Sequence, residues 1–462
     1  MPNPKLLTRR APGRLLVLLC ILVVGGLQAA RAQFSQIIVF GDSLSDTGND
    51  ADVAQGDFGV RVPGYALGGA INYTDGRFTS GKDSDPASAT FGGVWHEQLA
   101  KLFLGLPVST ASLDGGLNYA YGGATTEAGT RNLEFTNNLG ITVDNMGLQV
   151  DHYLASHAVD PAALYIVWGG ANDIFVSDRS ADALLATGRA AAKRASKLVN
   201  RLAQAGAVNF LVPNLPPIGN TPRYNGSAGA ITAYNAACSA FANKLAKKLD
   251  KVSADYTAAG TPINVYRLDV FNLFTRLLAN QEAYNFYNIV DPSQGEGVKP
   301  DNYLFWDDVH PTAAGHYQLA VEAYTALTGR PLVQITPNFT ASGFWLTRSG
   351  VNPPAKLKPS YEATGSAVAG VDYAALNGRK KIKPGQNTSA IATPALNGGG
   401  ANGKTIFLSI ADGGDAYGVG VLNVARIEYG NPIRSTNAVN DQPAASRARA
   451  AYPQLMLPGS GK

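Results

Sequence analysis

The sequence contains very little cysteine and histidine. Its 462 residues include two cysteines and five histidines. Cys20 lies in an apolar run near the N-terminus, and Cys238 lies in a stretch with a helical pattern. If the N-terminal run is cleaved, the remaining chain can form no internal disulfide. We expect Cys238 to be a small buried residue, because free cysteine usually behaves as a small hydrophobe.

Long apolar runs are absent except for one near the N-terminus. Four basic residues within 5–14 precede the apolar run 15–24, and an Ala-x-Ala sequence occupies 30–32. This order is typical of a secretory signal peptide. A membrane anchor is disfavoured because a span needs about 20 apolar residues. We therefore predict a signal peptide over residues 1–32, a secreted or periplasmic protein, and no transmembrane segment in the mature chain.

A surplus of positive charge is also missing once the signal peptide is set aside. The whole chain has 38 Lys and Arg against 34 Asp and Glu. Residues 1–32 hold five of the basic and none of the acidic residues, which leaves 33 against 34. No basic field remains that would attract nucleic acid, so we expect no nucleic-acid partner.

Residues 33–332 alternate short apolar runs with helical stretches. Strands are predicted at 37–40, 164–168, 208–213 and 263–268, and helices at 94–104, 181–205, 231–252 and 312–327. This alternation is typical of an α/β domain with a mostly parallel sheet. Basic side chains of the second helix, among them Arg194, fit a solvated face. The polar, glycine-rich stretch 50–92 is predicted to be a long loop on the substrate side.

The pattern changes after residue 332. Short strand-like pieces, separated by glycine and proline clusters, are predicted at 343–348, 380–383, 389–393, 405–410 and 419–428. They indicate an all-β sandwich over residues 336–430. The last stretch, 431–462, is polar and rich in alanine and proline, and we expect it to be a poorly ordered tail.

One stretch places a serine at the end of a buried strand. The apolar residues 37–40 run directly into Gly41, Asp42 and Ser43. Ligands of open α/β sheets bind at the carboxyl ends of the strands, so Ser43 is a candidate nucleophile. On this stretch alone, a helix N-cap is an equal alternative, because Ser and Asp are the usual capping residues.

Three further stretches carry candidate site residues. The paired glycines Gly122 and Gly123 let a backbone N–H approach a ligand closely, although an ordinary tight turn is the alternative. A buried strand leads to Asn172, an amide donor, for which a turn-forming role is the alternative. Asp307 and His310, three residues apart, precede a predicted helix.

These residue types fit nucleophilic catalysis at a carbonyl group. A serine hydroxyl needs a base, an imidazole titrates near neutrality, and a carboxylate orients the imidazole. Donors aimed at a developing oxyanion are worth about 3–4 kcal/mol each. The other histidines lack a carboxylate at comparable spacing, and we expect them to be surface or core residues: His96, His152, His157 and His316.

Together, the four stretches resemble the signature blocks of the GDSL (SGNH) hydrolase family of esterases and lipases. The matching sequences are FGDSLSDTGN, NYAYGGATT, GGAND and DDVHPT, in that order. The resemblance implies a flavodoxin-like α/β/α three-layer sandwich with a five-stranded parallel sheet over residues 33–332. It implies neither a metal ion nor an organic cofactor.

The resemblance also implies roles for the motif residues. Ser43 is the nucleophile, and its own N–H serves the oxyanion hole. His310 is the base, and Asp307 is the carboxylate of the Asp-x-x-His motif. Asp308 is a neighbouring acid that fits this spacing less well.

The same resemblance implies that Gly123 and Asn172 complete the oxyanion hole. Gly122 adjoins Gly123, so the donor glycine is open by one position. The predicted strand 164–168 leads to Asn172, as the predicted strand 37–40 leads to Ser43.

Residues 336–430 resemble a Calx-beta domain. The sequences FWLTRSG, YEATGSAVAGVDY and KPGQNTSAI follow that family's pattern. Its acidic loop corresponds to residues 397–404, which contain no carboxylate. We expect weak or no calcium binding, because calcium needs several oxygen ligands that usually include Asp or Glu. Contact with a cell surface or polysaccharide through this unit is a further expectation.

The sequence as a whole predicts a secreted serine hydrolase that cleaves carboxylic esters, with lipid or short acyl esters as the leading substrates. One alternative is an extracellular binding or adhesion protein in which the hydrolase fold is secondary, since a fold does not establish activity. Another is a carbohydrate O-acetylesterase. The complete set of Ser, Gly, Asn, Asp and His favours the enzyme.

Overall fold

The structure is a computed structural model that describes residues 34–63, 73–81, 91–134, 140–338 and 342–430. The predicted signal peptide (1–32) and the predicted tail (431–462) lie outside the described residues, as do two parts of the predicted loop 50–92. The described residues belong to one compact unit.

The secondary structure of the described residues comprises the following elements. The strands are β1 (Ile37–Gly41), β2 (Thr130–Glu134), β3 (Gly140–Asp144), β4 (Leu164–Trp168), β5 (Asn209–Pro213), β6 (Asn264–Leu268), β7 (Asn288–Pro292), β8 (Tyr303–Phe305), β9 (Leu332–Pro337), β10 (Gly343–Arg348), β11 (Tyr361–Thr364), β12 (Thr388–Ala392), β13 (Thr405–Ile410), β14 (Gly418–Val419) and β15 (Val424–Glu428). The helices are α1 (Asn49–Phe58), α2 (Trp95–Gln98), α3 (Met146–Ser156), α4 (Ala171–Phe175), α5 (Ala181–Gln204), α6 (Ala228–Ala258), α7 (Val270–Ala279) and α8 (Ala313–Thr328).

A parallel sheet in the order β1-β4-β5-β6 forms the centre of the α/β part. All residues of β1 and β4 are buried, because helices cover both faces of the sheet. One face packs against α3, α5 and α6, and the other packs against α2, α7 and α8. The four predicted strands are confirmed to within one residue at each end.

The prediction of a five-stranded parallel sheet is wrong for the described residues, in which this sheet has four strands. At the fifth position, beside β1, Asn118 forms a single parallel bridge with Val39. Glycine pairs precede and follow this stretch, at 115–116 and 122–123. The N–H of Val39 donates to the carbonyl oxygen of Leu117, and the N–H groups of Tyr119 and Tyr121 donate to the carbonyl oxygens of Val39 and Gly41, without forming a ladder of consecutive bridges.

The predicted helices are largely confirmed. Three of them correspond to α5, α6 and α8, although α6 is longer at both ends. The predicted helix 94–104 consists of α2 followed by a π-helix, Leu99–Leu104. The loop prediction for 50–92 is wrong at its start, where α1 lies; the sequence of α1 has no clear apolar stripe. None of the described helices has the length and apolarity needed to cross a membrane.

Two β-sheets share a hydrophobic core in residues 332–430. One has the order β12-β10-β9-β14, and the other has the order β11-β13-β15. This agrees with the predicted all-β sandwich. The predicted strand 380–383 is wrong, because Ile382 makes only an isolated bridge with Leu357. Strands β9 and β11 are not predicted from the sequence.

The sandwich packs directly against α7 and α8. Leu332, at the start of β9, belongs to the hydrophobic core of the α/β part. The hydroxyl of Tyr317 on α8 accepts a hydrogen bond from the N–H of Val421 at 2.8 Å. The carboxylate of Glu322 on α8 accepts one from the N–H of Gly350 at 3.1 Å. The sandwich is therefore continuous with the layer of helices behind the sheet.

Candidate active site

Ser43 lies in the turn that follows β1, at the carboxyl edge of the parallel sheet. Asp42 holds this turn, because its carboxylate accepts a hydrogen bond from the N–H of Leu44 at 3.1 Å. Ser43 is 8% exposed. The nearest helix, α1, begins at Asn49 and has Gly48 as its N-cap. The helix-cap alternative for Ser43 is therefore wrong.

The structure brings Ser43, His310 and Asp307 into one hydrogen-bonded chain. Ser43 Oγ lies 2.8 Å from Nε2 of His310, and Nδ1 of His310 lies 2.7 Å from Oδ2 of Asp307. Ser43 and His310 are 267 positions apart in sequence. With Nδ1 donating its proton to the carboxylate, Nε2 is free to accept the hydrogen of the serine hydroxyl.

Four donors surround the carboxylate of Asp307. Oδ1 accepts from the backbone N–H groups of Val309 (2.9 Å) and His310 (2.7 Å), and Oδ2 accepts from the hydroxyl of Tyr73 (2.9 Å) as well as from the imidazole. Burial alone would raise the pKa of Asp307. The charge of His310 and the hydrogen bonds outweigh burial and lower this pKa to about 2. Asp307 is therefore ionised at neutral pH.

The neighbouring acid, Asp308, has a different partner. Its carboxylate oxygens lie 2.7 and 3.1 Å from Nε and Nη2 of Arg223. The backbone N–H of Arg223 also donates to the carbonyl oxygen of Asp308. Of the two acids that the sequence leaves open, Asp307 is the one in contact with the imidazole.

The two glycines of the second motif differ in the hydrogen bonding of their backbone N–H groups. The N–H of Gly122 donates to Oδ2 of Asp46 at 3.1 Å. The N–H of Gly123 has no hydrogen-bond partner among the residues that the structure describes. Gly123 has a φ of +71°, a conformation that favours glycine, and a Cβ there would lie 2.6 Å from Leu133. Gly123 is therefore the glycine whose N–H is available to a ligand.

Asn172 lies in the first turn of α4, directly after β4. Its Nδ2 donates to the carbonyl oxygen of Ala124 at 3.0 Å, and its second amide hydrogen remains for another acceptor. The next residue, Asp173, accepts from the N–H of Thr126 and pairs with Arg194 at 2.6 Å. These hydrogen bonds connect the turn that contains Asn172 to the loop that contains Gly122 and Gly123. The expectation that Arg194 belongs to a solvated face is wrong, because its guanidinium reaches this buried carboxylate.

A short hairpin at residues 73–81 covers the segment that carries Asp307 and His310. Its contacts pair Tyr73 with Asp307, Phe78 with His310, Thr79 with Pro311 and Ser80 with Ala313. The Phe78 and His310 rings have centroids 5.1 Å apart. Sequence reasoning misses Tyr73, because nothing in its local pattern indicates a partner 234 positions away.

A pocket opens beside Ser43. Asn172 and His310 also line it, and most of its other lining residues are apolar. Asp42 lies at the edge near Ser43, where burial, partly opposed by the hydrogen bond from Leu44, raises the pKa of its carboxyl to about 7.

The remaining histidines and the cysteine lie where the sequence predicts. His96 and His316 are buried in the core, and burial lowers the pKa of His316 to about 3. His152 and His157 are exposed. Cys238 is buried without a partner cysteine, and burial raises the pKa of its thiol to about 12. The thiol is therefore a poor nucleophile at neutral pH.

The described residues contain no group of three His, Cys, Asp or Glu side chains that could hold a metal ion. In the 397–404 turn, Nζ of Lys404 lies 2.8 Å from Oδ1 of the buried Asp372. The weak calcium binding expected from the sequence stays a prediction.

A parallel sheet between two layers of helices, with a serine, a histidine and an aspartate linked at its carboxyl edge, defines the class as α/β hydrolase-like. The model of the GDSL-like lipase/acylhydrolase family matches residues 37–322. The chain belongs to this family.

Several relatives are similar over most of the α/β part. The phosphatidylcholine-sterol acyltransferase of Aeromonas hydrophila is 28% identical over 347 residues, which cover 66% of this chain and 94% of the relative. Lipase 1 of Photorhabdus luminescens is 25% identical over 398 residues, which cover 71% of this chain and 54% of the relative. An uncharacterised Pseudomonas putida protein is 29% identical over 331 residues, which cover 65% of this chain and 50% of the relative. The chain thus spans about half the length of the last two.

Among solved structures, the carbohydrate acetylesterase Est24 of Sinorhizobium meliloti is similar with a TM-score of 0.30 and 14% identity. The alignment covers 64% of this chain and 98% of that structure.

Proposed function

We propose that this protein hydrolyses carboxylic esters by a double displacement in which Ser43 is the nucleophile. The observation that supports the proposal most directly is the chain of contacts from Ser43 Oγ to His310 Nε2 (2.8 Å) and from His310 Nδ1 to Asp307 Oδ2 (2.7 Å). A serine hydroxyl is a weak nucleophile until an adjacent base takes its proton. An ionised carboxylate stabilises the imidazolium that results.

In the first half of the reaction, Ser43 Oγ attacks the carbonyl carbon of the ester and His310 takes the hydroxyl proton. When the tetrahedral intermediate collapses, His310 gives this proton to the departing alkoxide, and an acyl-enzyme and an alcohol result. In the second half, His310 removes a proton from water, which attacks the acyl-enzyme. Collapse of the second intermediate returns the proton to Ser43 Oγ and releases the carboxylic acid.

The negative oxygen of each intermediate needs donors that are already in place. We assign this role to the N–H groups of Ser43 and Gly123 and to Nδ2 of Asn172. The free N–H of Gly123 and the second amide hydrogen of Asn172 support the assignment. Removing one such donor is expected to lower kcat by about 10²–10³.

The secreted or periplasmic location and the role of the sandwich are also proposals. Residues 1–32 support secretion by their signal-peptide pattern, and the resemblance of residues 336–430 to a Calx-beta domain supports contact with a cell surface or polysaccharide. N-terminal sequencing of protein recovered outside the cytoplasm tests the first; Gln33 is the residue expected at the new N-terminus. Pull-down on insoluble polysaccharides, with the hydrolase serine intact, tests the second.

The serine mechanism is tested by labelling with a fluorophosphonate and by hydrolysis of p-nitrophenyl butyrate. We expect one adduct, on the peptide that contains Ser43, and loss of both labelling and hydrolysis in Ser43→Ala. Ser156→Ala, a substitution at an exposed helix end, is the matched control and should keep both. Full esterase activity in Ser43→Ala would contradict the proposal.

A further inference from the structure

We propose that the sandwich carries a docking surface for an anionic lipid bilayer, formed by exposed cations on one face of a two-stranded ribbon. This basic ribbon consists of residues 356–360 and 379–383. The inference goes beyond the proposed ester hydrolysis and does not depend on Ser43. It rests on charge and on the pairing of the two segments, and not on the resemblance to a Calx-beta domain.

The backbone fixes which residues of the basic ribbon face each other. Leu357 and Ile382 form an antiparallel pair in which the two residues exchange both N–H···O bonds, at 3.0 and 2.9 Å. A second bridge joins Ser360 to Arg379 in the same register. Each residue of one segment therefore has a defined neighbour in the other.

The inner face of the basic ribbon belongs to the core of the sandwich. Ile382 is fully buried, and Leu357 packs against the same hydrophobic cluster. Because side chains alternate between the two faces of a strand, the residues that flank this pair point away from the core. These flanking residues are all exposed lysines: Lys356, Lys358, Lys381 and Lys383. Arg379, which is also exposed, follows on the same outer face.

The register places like charges directly opposite each other. Lys356 faces Lys383, and Lys358 faces Lys381, at Cβ separations of roughly 5 Å. Like charges at directly opposite positions destabilise a sheet. An anionic surface that lies across the outer face would relieve this repulsion, so the arrangement favours binding of such a surface.

The cations of the basic ribbon are not neutralised within the protein. The ion pairs of the sandwich use Lys404 and Arg426, and the outer-face cations take part in none among the residues that the structure describes. Two acids lie near one end of the ribbon: Glu362 follows Ser360 by two residues, and Asp412 adjoins the residue whose N–H donates to the carbonyl oxygen of Ser360. The four lysines lie toward the other end.

A buried arginine holds the lysine end of the basic ribbon in place. The guanidinium of Arg348 donates to the carbonyl oxygens of Ala355 and Lys383, at 2.7 and 2.9 Å. A guanidinium keeps its charge in proteins, so Arg348 adds to the positive potential of this end. Because the backbone beneath the lysines is already fixed, binding costs less conformational freedom.

The composition of the outer face favours a lipid surface over a polymer. Neither segment contains an aromatic residue, whereas sites for single-stranded nucleic acid stack bases on aromatic rings. Most of the outer-face cations are lysines, whose compact ammonium groups lack the planar fork that binds one phosphate or carboxylate through two hydrogen bonds. A cluster of roughly four to eight basic residues is typical of a segment that binds anionic lipid.

The test is cosedimentation of the full chain with vesicles of phosphatidylcholine that contain about one third phosphatidylglycerol. Every protein in the test carries Ser43→Ala, so that the result does not depend on ester cleavage. Each basic side chain near an anionic bilayer contributes about fivefold to partitioning. We expect replacement of the four lysines by glutamine to lower partitioning at least about thirtyfold. Salt at about 1 M should abolish binding.

Two further proteins separate loss of charge from loss of fold. The pair Lys358→Glu and Lys383→Glu gives each remaining lysine an acid opposite it, which favours the ribbon while it cancels the charge of the lysine face. This variant should also lose binding. The matched control removes four exposed lysines outside the ribbon and should keep binding: Lys101→Gln, Lys193→Gln, Lys197→Gln and Lys247→Gln.

The possible outcomes distinguish the bilayer from other partners. Equal partitioning with and without the four ribbon lysines, or equal binding to vesicles of phosphatidylcholine alone, would overturn the proposal. Tighter binding to heparin or to a single-stranded oligonucleotide than to the anionic vesicles would assign the ribbon to a polymer instead. Thermal melts establish that the compared proteins are folded. Hydrolysis that persists in Ser43→Ala would count against the proposed function alone.

Discussion

The hydroxyl of Tyr73 donates to Oδ2 of Asp307 at 2.9 Å, and the same oxygen lies 2.7 Å from Nδ1 of His310. Tyr73 therefore shares a carboxylate oxygen with the proposed catalytic base. Because the two donors approach one atom, the position of the phenol limits how the carboxylate can rotate, and the carboxylate in turn orients the imidazole.

We expect Tyr73→Phe to lower kcat about tenfold with little change in KM. A hydrogen bond to a charged group contributes roughly 1.5–3 kcal/mol, and about 1.4 kcal/mol corresponds to tenfold in rate. Steady-state kinetics on one ester measure both constants. Tyr119→Phe is the control, because its hydroxyl contacts His157 and not the site. An unchanged kcat in Tyr73→Phe would show that the backbone donors suffice to hold Asp307.

The adjacent acids Asp307 and Asp308 allow a matched comparison. We expect Asp307→Asn to lower kcat by about 10⁴, because an amide at this position favours the wrong imidazole tautomer. Asp308→Asn loses only a partly exposed pair with Arg223 and should keep kcat to within about tenfold. Both are measured by kcat at saturating ester. Equal losses in the two variants would contradict the assignment of Asp307.

The contribution of Asp42 to stability is expected to fall as pH rises between the ordinary pKa of an Asp carboxyl, 3.8, and the raised pKa of Asp42, about 7. In this window the folded chain holds a proton that the unfolded chain has lost, so a rise in pH favours unfolding. Asp42→Asn removes this contribution and can still accept the hydrogen bond from Leu44. The melting temperature of the variant, relative to wild type, should therefore increase across the window and level off above it.

The pH experiment needs a control for other carboxyls. Burial also raises the pKa of Asp46, to about 6, against the hydrogen bonds it accepts, and Asp42→Asn retains this group. Asp114→Asn, at an exposed position, should follow the wild-type melting curve at every pH. A constant offset between wild type and Asp42→Asn would mean that Asp42 titrates alike in both states.

A buried ion pair between α7 and α8 contacts the sandwich through Gly350. Arg276 on α7 lies 2.9 Å from Glu322 on α8, and the carboxylate of Glu322 also accepts the N–H of Gly350. Glu322→Gln leaves the guanidinium without its counter-charge, which we expect to reduce the free energy of unfolding by about 3 kcal/mol. Urea denaturation measures the loss. Asp255→Asn, in an exposed pair with Lys251, should change stability little, and similar losses in both variants would argue against a special role for Glu322.

The proposed site residues were accessible to sequence reasoning because each lies beside a strongly patterned strand or helix. Ser43 follows β1, Asn172 follows β4, and His310 precedes α8. In parallel sheets the carboxyl ends of strands meet at one edge, so local patterns suffice to gather these side chains. The sequence could not show whether Gly122 or Gly123 is the oxyanion donor. That depends on Asp46, whose carboxylate accepts the hydrogen bond from the N–H of Gly122.

Features that depend on long-range packing were not accessible. The helix α1 is buried through small and polar residues, without an apolar stripe. The fifth strand of the expected sheet is reduced to one bridge at Asn118. Tyr73 and Arg194 acquire their partners from distant segments. None of these contacts leaves a periodic pattern in the local sequence.

The passage from α8 into β9 also bears on how such proteins could be recombined. Leu332 belongs to the first strand of the sandwich and to the core of the α/β part at once. A crossover placed between the helix and the strand would separate residues that have to be compatible with one another. The helix α8 packs on the parallel sheet and also bonds to the sandwich, so a crossover on either side of α8 divides a shared core.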